Sequence, residues 1–268
     1  MAFVTQVVSY RGLIGHLAQR ELKSKYKRSV LGWLWSLLNP AATLLIYTVV
    51  FGTVMQIVPP TAGNGELNAF ALFLFSALII WNFFNAVIIG SMGALMGVGA
   101  LLKKVYFPPE CPAIANALTV VIQSGIECLI LVAVMIVYGN VSWTFLLFPY
   151  LLLLLTLFTL GIGLVLSIYN IYLRDVNYLV TIGMSLLFYG TPIVYPYSLV
   201  EQNAPALVAD LVRFNPLTQF VGASQQIFYL LEWPSPARML GLTLVSVVTF
   251  LGGWAIFVRK SVDVSEEL

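Results

Sequence analysis

What most constrains this chain is a repeated pattern. Long apolar runs, each about as long as a bilayer crossing, are fenced by charged or proline-broken connections. The pattern predicts six spans, at about Trp35–Val58, Ala69–Gly97, Pro112–Tyr138, Trp143–Tyr169, Tyr178–Tyr195 and Met239–Val258. A hydrocarbon core about 30 Å thick takes ~20 residues of apolar helix. Composition agrees: 60% of the chain is apolar, 9% is charged and the mean hydropathy is +0.95. Soluble domains sit near 45–50% and about 25%. An ordinary soluble enzyme and a disordered chain are therefore excluded. Two cysteines and one histidine also exclude a disulfide framework and a multi-histidine metal site. The expected fold class is an all-α polytopic membrane protein, one transmembrane domain over 1–268 with its membrane part at 35–258 and a tail at 259–268.

Residues 1–30 do not read as a signal peptide. Val4, Val7, Val8, Ile14, Leu17, Leu22, Tyr26 and Val30 recur mostly at three or four residues, with Arg11, Arg20, Lys23, Lys25, Lys27 and Arg28 between them. This predicts an amphipathic interface helix on an anionic membrane surface, the alternative being a solvated basic leader. Lys103, Lys104, Arg174, Arg259 and Lys260 fall on the same side as that leader if the chain crosses six times. Of thirteen Lys and Arg, that leaves only Arg213 and Arg238 on the other side, beside Glu66, Glu201, Asp210 and Glu232. By the positive-inside rule both termini are expected in the cytoplasm. Residues 196–236 then face outward. Pro196, Pro205, Pro216, Pro234 and Pro236 cut them into pieces too short to cross, which suits outer re-entrant helices. Pro205–Phe214 predicts one short helix. Asn215 before Pro216 reads as an N-cap opening a second helix through about Leu231.

Catalytic and nucleotide-binding patterns are missing. No GxxxxGK[ST] loop occurs, so ATP hydrolysis by that route is not expected of this chain. Glu127 is the only carboxylate deep in a span. A charge there costs about 2.5–3.5 kcal/mol on insertion scales, so it faces inward, paired or protonated. It is either part of a polar translocation path or an interhelical hydrogen bond, with Gln123, Ser124 and Cys128 as neighbours. Asn82 and Asn85, one turn apart, pose the same choice. His16 belongs to the leading helix and reads as an interfacial side chain. The small residues from Gly90 to Gly99 allow close helix packing, within the chain or with a second copy. Tyr47, Phe51, Trp81, Phe84, Phe188, Tyr189, Tyr195, Tyr197, Phe228 and Tyr229 are aromatic candidates for the lining of a translocation path or for the interfacial belt.

Four stretches together resemble the membrane subunit of ABC transporters that export lipid-linked polysaccharides, a family that includes O-antigen, capsule, teichoic-acid and mycobacterial galactan exporters. They are Arg20-Glu21 through Gly32-Trp33-Leu34-Trp35 with Asn39-Pro40; Leu102–Glu110; Asn170–Val176 running on to Tyr189–Pro196; and Asn215-Pro216-Leu217-Thr218. Each is weak alone, but their order covers nearly the whole chain. The second departs from many relatives at Pro109, where they carry a basic residue.

The resemblance implies a bacterial inner-membrane permease. Two copies would form a channel above two separate ABC ATPase subunits, which would bind the ATP and Mg; the chain itself would need no cofactor, metal or nucleic acid. It implies that Arg20, Glu21, Lys103, Lys104, Tyr106 and Phe107 contact the ATPases. Arg174 and Asp175 would form a cytoplasmic gate or hinge. Tyr47, Trp81, Phe84, Glu127, Tyr189, Pro192, Tyr195, Asn215 and Pro216 would belong to the channel and outer gate. Simple anchoring explains the two lysines equally well, and a surface pair worth about 0–1 kcal/mol explains Arg174-Asp175. Prolines 192 and 196 are expected to interrupt span five and let its outer end pivot. A drug or lipid exporter permease shares this topology. A glycolipid transferase would need clustered acid, base or metal ligands, and a scaffold would not need the polar gate segment.

Overall fold

The computed structural model describes residues 9–26, 34–56, 60–102, 107–173 and 175–261. Lys103, Lys104 and Tyr106 of the expected ATPase contact and Arg174 of the expected hinge lie outside them, as do both ends of the expected leading helix. The described residues form helices joined by turns, with no strand among them. In chain order these are α1 (Arg11–Tyr26), α2 (Trp35–Tyr47), α3 (Phe70–Gly97), α4 (Gly99–Leu102), α5 (Cys111–Val137), α6 (Phe148–Tyr172), α7 (Val176–Tyr189), α8 (Tyr197–Asn203), α9 (Ala206–Phe214), α10 (Pro216–Gln225) and α11 (Pro236–Lys260). A π-helical stretch, Thr48–Val54, extends α2, and another, Gln226–Leu230, extends α10; a 3-10 turn, Trp143–Leu147, leads into α6.

The boundaries follow from local chemistry. Proline stands in the first turn of α5, α6, α10 and α11, where its missing N–H costs no hydrogen bond. The Ser235 side chain accepts from the Arg238 amide and caps α11. Gly139, at φ +68°, turns the chain out of α5. Among the described residues, four helices are long and apolar enough to cross a bilayer: α3, α5, α6 with its 3-10 lead, and α11, of 25 to 30 residues. The other two expected spans are shorter apolar helices, Leu38–Val54 and Val176–Tyr189.

Span five is shorter than the run of apolar letters suggests. Helix α7 stops at Tyr189, and Thr191, Pro192, Ile193 and Val194 form a buried bend. Pro192 therefore lies beyond the helix end and does not interrupt a span. A proline ring clashes with the carbonyl four residues back and disfavours helix in the residue before it. The 14-residue helix is only about 21 Å long.

Helix α3 is the central post. Leu74, Ile79, Ile80, Val87, Ile88 and Leu95 are fully buried, and the helix packs against α5, α6 and α10. Helix α11 packs chiefly on α6. Their closest approach is glycine on glycine: a Cβ at Gly161 would stand 2.8 Å from Phe250 Cα, and one at Gly253 would strike the Gly161 carbonyl. Of the small residues of α3, Gly90 and Ser91 are used within the chain, while a Cβ at Gly93 or Gly97 would meet open space. Gly90 makes room for Asn116, whose Nδ2 donates to Val87 O at 3.3 Å, and Ser91 sits against Gly163.

The apolar stripe of α1 meets protein where lipid was expected. Ile14, Leu17 and Ala18 are buried against Val98, Phe107, Cys111 and Ala115. Thr119 Oγ1, on α5, donates to Ala18 O at 3.4 Å. His16 and Arg20 stay exposed.

Candidate functional site

Midway along the bundle, α2, α3 and α5 enclose a cavity of about 380 Å³. Asn39 and Thr43 reach it from α2, Asn82 from α3, and Gln123, Ser124 and Glu127 from α5. The three α5 residues share one face because they stand at helical spacing. Trp35, half exposed, forms part of the rim. Ser124 is buried, and its Oγ has no hydrogen-bond partner among the described residues. One carboxylate, three amides and two hydroxyls thus concentrate in one pocket of an otherwise apolar bundle. Such a set exchanges hydrogen bonds with water or with a polar passenger. Among the described residues no three His, Cys, Asp or Glu stand close enough to hold a metal. Asn85 is not part of this cavity: it lines another, with Trp81, Phe188 and Tyr189, between α3 and α7.

At one end of the bundle three connections meet on a buried hub. Asn140, fully buried in the α5–α6 turn, donates from Nδ2 to Phe228 O at 3.0 Å and Tyr229 O at 3.1 Å, and its Oδ1 accepts from Asn64 N at 3.1 Å. Tyr229 Oη accepts from Ala69 N at 3.2 Å and bonds Leu67 O at 3.3 Å. Thr144 Oγ1 donates to Ile227 O at 2.8 Å, and Gly63 N to Tyr229 O at 2.9 Å. The end of any helix leaves carbonyls without intrahelical partners. Here α10 ends inside the protein, and these donors satisfy it. A helix end left unpaired in an apolar interior is costly. The α10 start is set by Asn215, whose Oδ1 accepts from Leu217 N at 3.0 Å while its Nδ2 donates to Thr191 Oγ1 at 3.2 Å. Pro216 occupies the first turn. Ser224 Oγ donates to Ser76 O at 2.7 Å and pins α10 to α3.

At the opposite end, α1 covers the starts of α4 and α5. Phe107 is 3% exposed, packed beneath α1 with Ile14, Leu17 and Ala18. Arg20 and Glu21 line a cavity between α1 and the Gly90–Gly97 face of α3. Glu110, just before α5, is buried, and that burial pushes its carboxyl above the usual range, partly offset by a backbone hydrogen bond. Asp175 is exposed at the start of α7 and makes no side-chain cap.

The aromatic candidates divide. Phe84, Phe228 and Tyr229 belong to the packed interior of the chain: Phe84 stacks near Phe158 at 6.1 Å, and Phe228 meets Phe148 at 4.8 Å. Trp81 is mostly buried with its edge toward Phe188 at 5.2 Å. Tyr47 is half-buried beside Phe51. Tyr189 is 70% exposed, and Tyr195 Oη donates to its carbonyl at 2.7 Å. Sequence reasoning missed Asn140 and the Gly161–Gly253 crossing. A polar residue after Gly139 and the Gly161-Ile162-Gly163 and Gly252-Gly253 pairs were the available signals.

Comparison with known proteins agrees with this architecture. The profile of the ABC-2 type transporter family matches residues 12–229. An O-antigen export system permease protein RfbA of Myxococcus xanthus is 29% identical over 266 residues, covering 99% of this chain and 98% of the relative. A protein of the same name from Klebsiella pneumoniae is 28% identical over 219 residues, 79% of this chain and 78% of the relative. The polysialic acid transport protein KpsM of Escherichia coli is 27% identical over 245 residues, 87% and 88% of the two chains. The matched stretch runs from α1 through the hub residue Tyr229, and on that ground the chain belongs to the ABC-2 type transporter family.

Proposed function

We propose that this chain is the membrane-spanning permease subunit of an ATP-driven exporter that carries a polysaccharide, linked to a lipid, from the cytoplasm to the outer face of a bacterial inner membrane. The observation that carries the reading is the match, over almost the full length of both chains, to a permease named for O-antigen export. The chain crosses six times, with α2 and α7 as the two short spans and both termini in the cytoplasm. The sorting of basic residues supports that orientation. It sets the hub and α8–α10 outside and α1 inside. ATP and Mg act in a separate ATPase subunit, two copies of which sit below two copies of this chain.

Helix α7 has no buried residue, and Leu45, Ile46 and Val54 on the α2 segment are exposed. These apolar faces suit a second copy across a channel. ATPase closure reaches the bundle through α1, whose buried stripe grips α5, and through the segment around Lys103, Lys104 and Tyr106. Asp175 with Arg174 marks the cytoplasmic entry to α7, and the Glu127 cavity gives a hydroxyl-rich passenger hydrogen-bonding groups at mid-depth.

The test is depletion of the chain in its own cell, followed by lipid extraction and surface-glycan staining. Lipid-linked glycan is expected to build up inside while the surface polymer falls. Unchanged glycan with raised drug sensitivity would overturn the reading in favour of a drug exporter.

A further inference from the structure

The only two cationic residues in the expected outer connections, Arg213 and Arg238, are 25 positions apart, yet both line one cavity of about 430 Å³. We propose that this cavity, between α8, α9, α10 and α11, binds a phosphoryl group.

Its walls are built for an anion. Arg213 comes from the last turn of α9 and Arg238 from the first turn of α11. Gln219, on α10, ties the two together: its Nε2 donates to Arg213 O at 2.6 Å, and its Oε1 accepts from Arg238 Nε at 3.0 Å. Arg238 also donates from Nη1 to Gln226 Oε1, so the guanidinium is held in place. Two donors on α10 then stand without protein partners. Thr218 is 7% exposed and Gln225 9% exposed; Thr218 Oγ1 and Gln225 Nε2 make no hydrogen bond among the described residues, and both residues line the cavity. A buried donor left without an acceptor is costly, so two in one pocket point to an occupant that accepts hydrogen bonds. Glu201 is the one carboxylate on the wall, set against two guanidiniums. Donors from three helices suit a tetrahedral phosphoryl group, which accepts from several directions, better than a planar carboxylate, which takes a coplanar fork.

Three sources carry that chemistry at an outer membrane face: the diphosphate of a lipid carrier, a phospholipid headgroup, and a free anion. The pocket stands on its own geometry, while its place at the outer face rests on the export reading above.

The full chain, purified in dodecyl maltoside, which carries no phosphate, is titrated with farnesyl diphosphate and with inorganic pyrophosphate, and both titrations are repeated with phosphatidylglycerol added to the micelles. Saturable thermal stabilisation is expected. Arg213→Gln removes an exposed side chain and should fold normally; it is expected to weaken binding about tenfold or more, with Arg213→Lys retaining most of it. Thr218→Val removes a hydroxyl that bonds no atom among the described residues; it should be at least as stable as the parent without ligand and bind more weakly. Preference for farnesyl diphosphate identifies a lipid-borne diphosphate, equal response to pyrophosphate a free anion, and displacement by phosphatidylglycerol a bilayer headgroup. No saturable binding of any probe, or binding that Arg213→Gln leaves unchanged, overturns the proposal and returns the cavity to water. Binding with no export of glycan in the wild-type cell would strike the export reading and leave the site standing.

Discussion

Helices α3 and α7 are built from nearly the same alphabet and have opposite fates. In α3, 78% of the most apolar window is buried inside the chain. In α7 no residue is buried, and Tyr178, Leu179, Ile182 and Leu186 are each at least 60% exposed. Hydropathy marks both as apolar and says nothing of which neighbour each takes. In lipid there is little hydrophobic gain from bringing two helices together, so close packing and hydrogen bonds choose the partners. Helix α3 has Gly90 and Ser91 to admit Asn116 and Gly163, and a carbonyl at Ser76 to receive Ser224. On α7, Thr181 and Ser185 spend their hydroxyls on the helix's own backbone.

The contrast predicts a ladder of effects. The strongest is at the α6–α11 crossing that locks the rigid half. Gly253→Leu drives a side chain into backbone and is expected to cost about 3 kcal/mol, read as lost membrane yield and a lower unfolding temperature in detergent; normal yield would mean that the two helices are free to part. Next is the hub. Asn140→Ala strips partners from Phe228 O, Tyr229 O and Asn64 N and should cost about 2 kcal/mol, with faster proteolysis of the 60–69 loop as its signature.

A smaller, pH-dependent effect is expected at Glu110. Its carboxyl is pushed up by burial in the folded chain, so folding favours the neutral form. That contribution is fully present below the ordinary carboxyl range and is lost as pH rises through the folded value. Glu110→Gln should therefore be more stable than the parent at pH 8, and the gap should close toward pH 4. A gap independent of pH would show that the carboxyl has no such role. Least of all, for the single chain, is the exposed face of α7. Ile182→Ser should change unfolding by no more than about 0.5 kcal/mol. Ile182→Cys, with Cys111 and Cys128 replaced, separates the two covers: cross-linked dimers are expected where a second copy lies against α7, and none where lipid does.

Much of the local structure was legible. The start of α3 and the ends of α5 lie within a residue of where hydropathy, Pro112 and Gly139 set them, and α10 opens where Asn215-Pro216 requires. The end of α7 was not, because the buried bend at Thr191–Val194 is as apolar as a span and differs from one only in having Gly190 and Pro192. The stripe of α1 was legible as a stripe, but what it faces was not, since Ile14 and Leu17 suit lipid and protein alike. Glu127 stood out by its charge; that Asn39 and Asn82 join it and Asn85 does not required the crossing of three helices.

What the sequence by itself determined is the class of molecule, its helical segments and the sorting of charge between its two ends, because hydropathy, caps and breakers act over a few residues. What only the tertiary structure decided is which distant positions meet: Asn140 with Tyr229, Gly161 with Gly253, Arg213 with Arg238. In a chain apolar on every side, no periodicity marks the face that another helix will cover. The choice is made by fit and hydrogen bonding between segments far apart in the chain.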